Sequence, residues 1–401
     1  MTGPTVGLAD IFRRHGKAYR KKYALPLHQI KLMRAIENCR TAALGGHASK
    51  CSQCGETRVW YNSCRNRHCP QCQSMARAQW LERRKEELLP VNYFHVVFTV
   101  PEQIAAIALQ NKKVVYGILF RATAETLLTI ARDPKHLGAH IGYFAVLHTW
   151  GQNLLHHPHL HCVIPGGGIA GTDERCWVNS RSNFFLSVRV LSAMFGRVFL
   201  GMLRVAFKKG ELEFFSSLES LRPPNNFYRY LDPLEKIAWV VYSKKPFGGP
   251  ENALEYLGRY THRVAISNQR LLSDEGGKVS FLWKDYRQKS NKKKQRQKLM
   301  TLSTEEFTRR FLLHSLPRGF QRIRHFGLFA NPVRKQSLAL CRRLLHVPAP
   351  TTPSPEPLCL DERYEALTGH SLLQCPVCKT PTMMLVEQFP PAHPLPFEDS
   401  T

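Results

Sequence analysis

The sequence predicts an α+β protein: an antiparallel sheet with helices on one face and histidines on the other, preceded by a cysteine-rich domain and followed by a basic C-terminal region. Three observations predict it. Residues 95–164 give a strand pattern, a long helical pattern and two further strand patterns, the order of a sheet with helices packed to one side. The last of these strands is His156-His157-Pro158-His159-Leu160-His161-Cys162-Val163-Ile164, closed by Pro165 and three glycines, which reads as strand rather than helix. Two Cys-x2-Cys knuckles, Cys51/Cys54 and Cys69/Cys72, come before them.

A chain of 401 residues has room for two or three domains. Changes in composition divide it into a helical and zinc-ribbon-like domain at 1–90, a central domain at 91–300 and a basic helical region with a flexible tail at 301–401. With 57 Lys+Arg against 30 Asp+Glu the formal net charge is +27, and such a surplus calls for a polyanionic partner, nucleic acid by default. No uninterrupted apolar run of membrane-spanning length and no amphipathic Lys-rich terminal helix stands out, so no membrane partner is expected. Residues 1–20 lack the apolar stretch of a secretory signal, which gives a cytoplasmic protein. Its twelve cysteines would then be reduced and available to metal rather than paired as disulfides.

Taken in order, residues 8–40 show two short helices, with Leu8, Ile11, Phe12 and Tyr19 on one and Leu27, Ile30, Met33 and Ile36 on the other. The run from Arg13 to Lys22 is too basic to bury and suits a phosphate backbone. The knuckles Cys51/Cys54 and Cys69/Cys72, fourteen residues apart, can wrap four thiolates round one structural zinc ion. Cys64 and His68 between them are alternative ligands. Arg65, Arg67, Trp60 and Tyr61 add the cations and aromatic faces that nucleic acid favours. A helix follows from Met75 to Leu89.

In the central domain His95–Pro101 reads as a strand, Glu102–Arg132 as one long helix, Tyr143–Trp150 as a strand, Ser187–Lys209 as a helix and Ile237–Tyr242 as a strand. Side chains two apart on a strand share a face, so His159 and His161 point the same way and can hold one metal ion. Gly166-Gly167-Gly168 is not a phosphate loop, since no Lys-Ser/Thr follows. In the helical stretch 250–263, Tyr256 and Tyr260 lie one turn apart on a common face, flanked by Arg259, Arg263 and His262. Val279–Trp283 is a strand, and Lys284–Lys298 an exposed arm whose Lys292, Lys293 and Lys294 would track a DNA backbone. Ser303 with Glu306 makes a capping box. Cys375-Pro376-Val377-Cys378 is half of a zinc site, with Cys359 or His370 as candidate partners.

A His-x-His pair on a strand, followed by Tyr-x3-Tyr on a helix and preceded by a cysteine-rich domain, resembles the HUH single-strand nucleases. The likeness is closer still to the two-tyrosine rolling-circle transposases of the IS-ninety-one family. It takes in Tyr61-Asn62-Ser63-Cys64-Arg65-Asn66-Arg67-His68-Cys69-Pro70, His159-Leu160-His161, Tyr256-Leu257-Gly258-Arg259-Tyr260-Thr261, and Arg309-Arg310-Phe311-Leu312-Leu313-His314 through Arg322-Ile323-Arg324. The resemblance implies an HUH nuclease domain that nicks and joins single-stranded DNA at insertion-sequence ends. Tyr256 or Tyr260 would attack, leaving a 5′-phosphotyrosine, with Mg2+ or Mn2+ polarising the phosphate. Related nucleases complete the ligand triad with Gln, Glu or His. Here His148 and Gln152 precede the pair and would share a strand face if the strand extends that far, and Gln152 is the expected third ligand. Two other functions fit the same residues: a plasmid or phage rolling-circle replication initiator, and a non-enzymatic zinc-dependent nucleic-acid-binding protein.

Overall fold

A computed structural model describes residues 6–85, 87–171, 175–247, 252, 258, 261–285, 297–347 and 359–392. The chain opens with α1 (Leu8–Lys22) and α2 (Leu27–Glu37). Leu8, Ile11, Phe12 and Tyr19 form the buried stripe of α1, and Asp10 in its first turn opposes Arg20, Lys21 and Lys22 in its last, which suits the helix dipole. The basic run is exposed as expected, but much of it is paired within the protein. Arg14 and His15 meet Asp274, Arg20 meets Glu37, and Lys22 meets Glu305. Next come β1 (Gly46–Cys51), β2 (Thr57–Tyr61) and α3 (Gln73–Lys85).

The central sheet is built from β3 (Tyr93–Thr99), β4 (Gly142–Trp150) and β5 (His156–Pro165). Between β3 and β4 the expected single helix is two, α4 (Glu102–Gln110) and α5 (Lys112–Arg132). Asn111 breaks it, with ψ at 45° and a side chain that bonds the Glu213 carbonyl and amide, both at 2.8 Å. A small hairpin, β6 (Gly167–Ala170) and β7 (Cys176–Asn179), precedes α6 (Val188–Lys208) and α7 (Pro224–Lys236). The following strand, β8 (Val241–Phe247), starts four residues later than the sequence suggests. Trp239 is the reason: its indole donates to the Leu234 carbonyl at 2.9 Å and lies against α6 at Gly196, where a Cβ would come within 3.0 Å of the ring.

The chain continues through β9 (Leu271–Glu275), β10 (Lys278–Lys284), β11 (Gln297–Ser303), α8 (Thr304–Leu313), β12 (Ile323–Gly327), α9 (Arg334–Leu344), α10 (Leu360–Thr368) and β13 (Met383–Phe389). Strand β11 pairs along the whole of β10 and takes up the end of what reads in sequence as a charged arm. Ser303 caps α8 by accepting from the Glu306 amide at 3.2 Å.

The five-stranded sheet has the order β12-β4-β5-β3-β8, antiparallel throughout. Its two faces follow from strict alternation. Phe94, Val96, Phe98, Tyr143, Ala145, Leu147, Leu160, Cys162 and Ile164 join the large core with α4–α7. The intervening residues Tyr93, Phe144, Val146 and Val163 pack on the opposite face with Trp80 of α3. The histidines take their places in this second set. Helices α5 and α6 are long and apolar enough to cross a bilayer by length and composition, which the sequence reading did not anticipate. Both contribute a buried face to the large core.

A second core joins α1 and α2 to residues 265–281 and to Phe307, Phe311 and Leu312 of α8, with Trp150 and Leu154 from the β4–β5 turn. It therefore crosses the divisions expected near residues 90 and 300. The C-terminal β13 returns to pair with β1, completing a three-stranded sheet β13-β1-β2.

Candidate metal centre and its surroundings

Strands β4 and β5 place His148 directly opposite His159, and His161 lies two residues further along the same face. One ring nitrogen from each of His148, His159 and His161 falls within 4.8 Å of the other two. The rings are already aimed. Nδ1 of His159 is 2.7 Å from the His157 carbonyl, and Nδ1 of His161 is 2.8 Å from Nε2 of His95. Both contacts are made through Nδ1, the usual way in which an outer partner fixes the tautomer of an imidazole that binds metal through Nε2. His148 stacks on Trp150, ring centres 4.7 Å apart. Burial holds His159 down at about 3 and His161 well below its ordinary value, so both are neutral near pH 7 with a lone pair to donate. Three neutral imidazoles fit a divalent transition ion such as Mn2+ better than Mg2+.

The third imidazole is His148, whereas the expected third ligand, Gln152, lies beyond the end of β4. The pairing shifts between His148 and Trp150, β4 ends at Trp150, and Gln152 falls in the turn that follows, its carbonyl accepting from Arg270. Four-residue spacing along a strand therefore does not apply. His156 has the other parity and turns to the helical face, where it bonds Tyr116 Oη at 2.7 Å.

Arg263 lies close enough to His159 and His161 to depress their protonation further. The chain leading to it is anchored twice. Gly258 sits against α3, where a Cβ would come within 2.7 Å of Leu81 Cδ1 and 2.9 Å of Arg77 Nε. Buried Arg322 donates to the carbonyls of Thr261 at 2.7 Å and Arg263 at 3.2 Å. Asn252, Gly258 and Thr261 have helical backbone. Tyr256, Arg259 and Tyr260 lie outside the described residues, as do Lys292, Lys293 and Lys294.

The cysteines group differently from the expected set of Cys51, Cys54, Cys69 and Cys72. Cys39, Cys64, Cys69 and Cys72 form one cluster, and Cys51 and Cys54 join a separate one with Cys375 and Cys378. In the first, Sγ–Sγ distances are 3.6 Å for Cys39–Cys72 and Cys64–Cys72, and 3.7 Å for Cys39–Cys69. A zinc ion bound at about 2.3 Å by four thiolates would set the sulfurs about 3.8 Å apart, so the cluster fits zinc. His68 stays outside it, and burial pushes its basicity far down. Arg65 is exposed with φ at 51°. Arg67 is not available to DNA as expected, because its guanidinium donates to the Phe320 and Pro317 carbonyls at 2.7 and 3.1 Å.

A family model described as "Putative transposase" matches residues 142–337, and one described as "Transposase zinc-binding domain" matches residues 11–100. The chain is similar to "Putative transposase y4qJ" of Sinorhizobium fredii (strain NBRC 101917 / NGR234), 60% identical over 392 residues that cover 97% of this chain and 96% of the relative. The chain belongs to the IS-ninety-one family of transposases. It is also similar to "Transposase for insertion sequence element IS801" of Pseudomonas savastanoi pv. phaseolicola, 27% identical over 332 residues, 82% of this chain and 76% of the relative. No solved structure matches.

The first of these models spans all three imidazoles, Arg263 and Arg322, and the second contains the whole of the first cysteine cluster. Two contributors to the transposase's candidate metal centres escaped the sequence reading. His95 carries a weak signal, since it has the parity of the histidine face on the neighbouring strand. Cys39 carries none, being a lone cysteine just past the end of α2.

Proposed function

We propose that this transposase cleaves and rejoins single-stranded DNA at insertion-sequence ends through a 5′-phosphotyrosine intermediate, in transposition of the rolling-circle type. The observation that carries the proposal is the imidazole trio on a sheet face, with Arg263 near enough to act on it electrostatically and only two residues of sequence between Tyr260 and Arg263. His148, His159 and His161 would hold Mg2+ or Mn2+, which when bound supplies Lewis-acid polarisation of the scissile phosphate. Arg263 offers a guanidinium to the same phosphate as its charge rises. A phenol oxygen of Tyr256 or Tyr260 forms the new bond to phosphorus, and the bond from phosphorus to the 3′ oxygen breaks. That oxygen departs as a free 3′-OH, taking up a proton equivalent to the one the phenol lost. Attack by a 3′-OH on the phosphotyrosine reverses these steps and seals a strand. With two tyrosines, a second strand can be cut before the first link is resolved.

The remaining cations singled out in the sequence are given a role in the same proposal. Arg65, Arg259, Lys292, Lys293 and Lys294 would contact the backbone of the bound strand, whose partner in the cell is the element's own DNA in the cytoplasm. The first cysteine cluster would hold a structural zinc. Incubation with 5′-labelled and 3′-labelled single-stranded DNA of an element end, with Mn2+, tests the mechanism. A covalent adduct that survives denaturation and carries the label 3′ to the cut is expected. Its absence in the wild-type protein, or its persistence in a Tyr256→Phe, Tyr260→Phe variant, would overturn the proposal.

A further inference from the structure

The second cysteine cluster lies outside everything the function above uses. Cys51 Sγ is 3.6 Å from Cys378 Sγ, and Cys54 Sγ is 3.6 Å from Cys375 Sγ. All four are free thiols, far beyond the roughly 2.05 Å of a disulfide and close to the edge of a zinc–thiolate tetrahedron, about 3.8 Å. Neither family model reaches Cys375 or Cys378.

The two halves of the cluster are built alike. After each second cysteine the backbone enters the left-handed region, at Gly55 with φ 76° and Lys379 with φ 63°. In each, the amide of that residue closes the turn on the carbonyl of the first cysteine, Gly55 to Cys51 at 3.1 Å and Lys379 to Cys375 at 2.9 Å. Hydroxyls from the residues just after the second knuckle complete the shell. Thr382 Oγ1 lies 3.0 Å from Cys51 Sγ and Thr380 Oγ1 lies 2.9 Å from Cys378 Sγ, positions from which they can donate to thiolates. Apart from the pairing of β13 with β1, little apolar packing holds the region together. Among the described residues its hydrophobic cluster has Cys51, Cys375 and Met383 as buried members, and residues 384–388 of β13 are exposed. A core this small needs a metal or a disulfide to be stable, and the sulfur spacing excludes the disulfide.

We infer that Cys51, Cys54, Cys375 and Cys378 bind a second, structural zinc ion that fastens the C-terminal segment 359–392 onto the N-terminal β1–β2 hairpin. The segment so held includes α10, whose Arg363 pairs with Glu82 of α3 at 3.0 Å. The site is a clasp between distant parts of the chain, distinct from the zinc held wholly within residues 39–72.

Metal content of the purified full-length protein, measured by inductively coupled plasma mass spectrometry, tests the inference. Two zinc ions per chain are expected, falling to one in a Cys375→Ser, Cys378→Ser variant. In that variant limited proteolysis should release the 359–392 segment while the rest of the chain stays resistant. One zinc in the wild type, or two in both proteins, would overturn it. A wild-type measurement covers the case in which the variant does not fold: a chromogenic chelator should remove zinc in two steps of one equivalent each, the faster from the site with exposed Cys54. Removal of a single equivalent in total would again overturn the inference.

Discussion

Replacing His95 by phenylalanine should weaken divalent-metal binding at the imidazole trio without unfolding the protein. When His161 coordinates through Nε2, its Nδ1 must carry the proton and donate it to Nε2 of His95, 2.8 Å away. Phenylalanine preserves the ring and its near-parallel packing on His161, now 5.0 Å between centres at 4°, but offers no acceptor. His161 is 8% exposed, so water cannot readily replace the lost partner, and a buried donor left without one costs about 1–3 kcal/mol. The metal-free protein escapes much of that cost, because His161 is then free to move its proton to Nε2. The difference falls on the metal-bound state, giving an affinity about 10–100-fold lower. Calorimetric titration with Mn2+ in the absence of DNA reads this directly. A His95→Gln variant, which returns an oxygen acceptor, should recover most of the loss. A dissociation constant for His95→Phe within twofold of the wild type, at unchanged melting temperature, would refute the assignment of His95 as the residue that orients His161.

His148→Ala should abolish most Mn2+-dependent nicking, on the order of 100-fold or more for loss of a ligand, whereas Gln152→Ala should change it less than about threefold if the third ligand is His148; equal losses would refute that choice. Gly258→Val puts a branched side chain where even a Cβ comes within 2.7 Å of Leu81, so the yield of covalent adduct should fall by about tenfold on the scale of a misplaced catalytic group. Mn2+ affinity should be unchanged, and a parallel loss of metal binding would count against the role given to α3. Arg322→Met removes two charge-assisted bonds to the Thr261 and Arg263 carbonyls and should cost about 2–4 kcal/mol of stability, seen as a lower melting temperature in thermal unfolding. An unchanged melting temperature would show that those carbonyls find other donors.

The face of the sheet that bears the histidines was readable because alternation is a local property. Leu160, Cys162 and Ile164 are apolar, His159 and His161 polar, and a period of two leaves one assignment. The third candidate ligand was harder to read, since weighing His148 against Gln152 required knowing where β4 ends and that its pairing with β5 slips after His148. Nothing in composition reports a slip of that kind. Knuckle pairing failed for a different reason. Cys54 and Cys375 are 321 positions apart, and sequence proximity favoured joining Cys51/Cys54 to the nearer Cys69/Cys72. The motif Cys375-Pro376-Val377-Cys378 was visible as half a site, but Cys359, offered as its partner, instead caps α10 by accepting from the Glu362 amide at 3.5 Å. Arg67 illustrates the limit of reading charge as function: a guanidinium beside aromatic residues in sequence turns out to tie two carbonyls of the 317–320 turn.

The pairing of β1 with β13 sets an order of events during synthesis. The central β1 is flanked on one side by β2, made moments later, and on the other by a strand some 330 residues downstream, so its outer edge stays bare while the ribosome works through the interval. At roughly 5–20 residues per second that interval lasts on the order of 20–60 s. A prematurely terminated chain would keep the hairpin edge and two unsatisfied thiols permanently open, which exposes it to proteases. Only a translation product that runs through residue 389 can shut that edge.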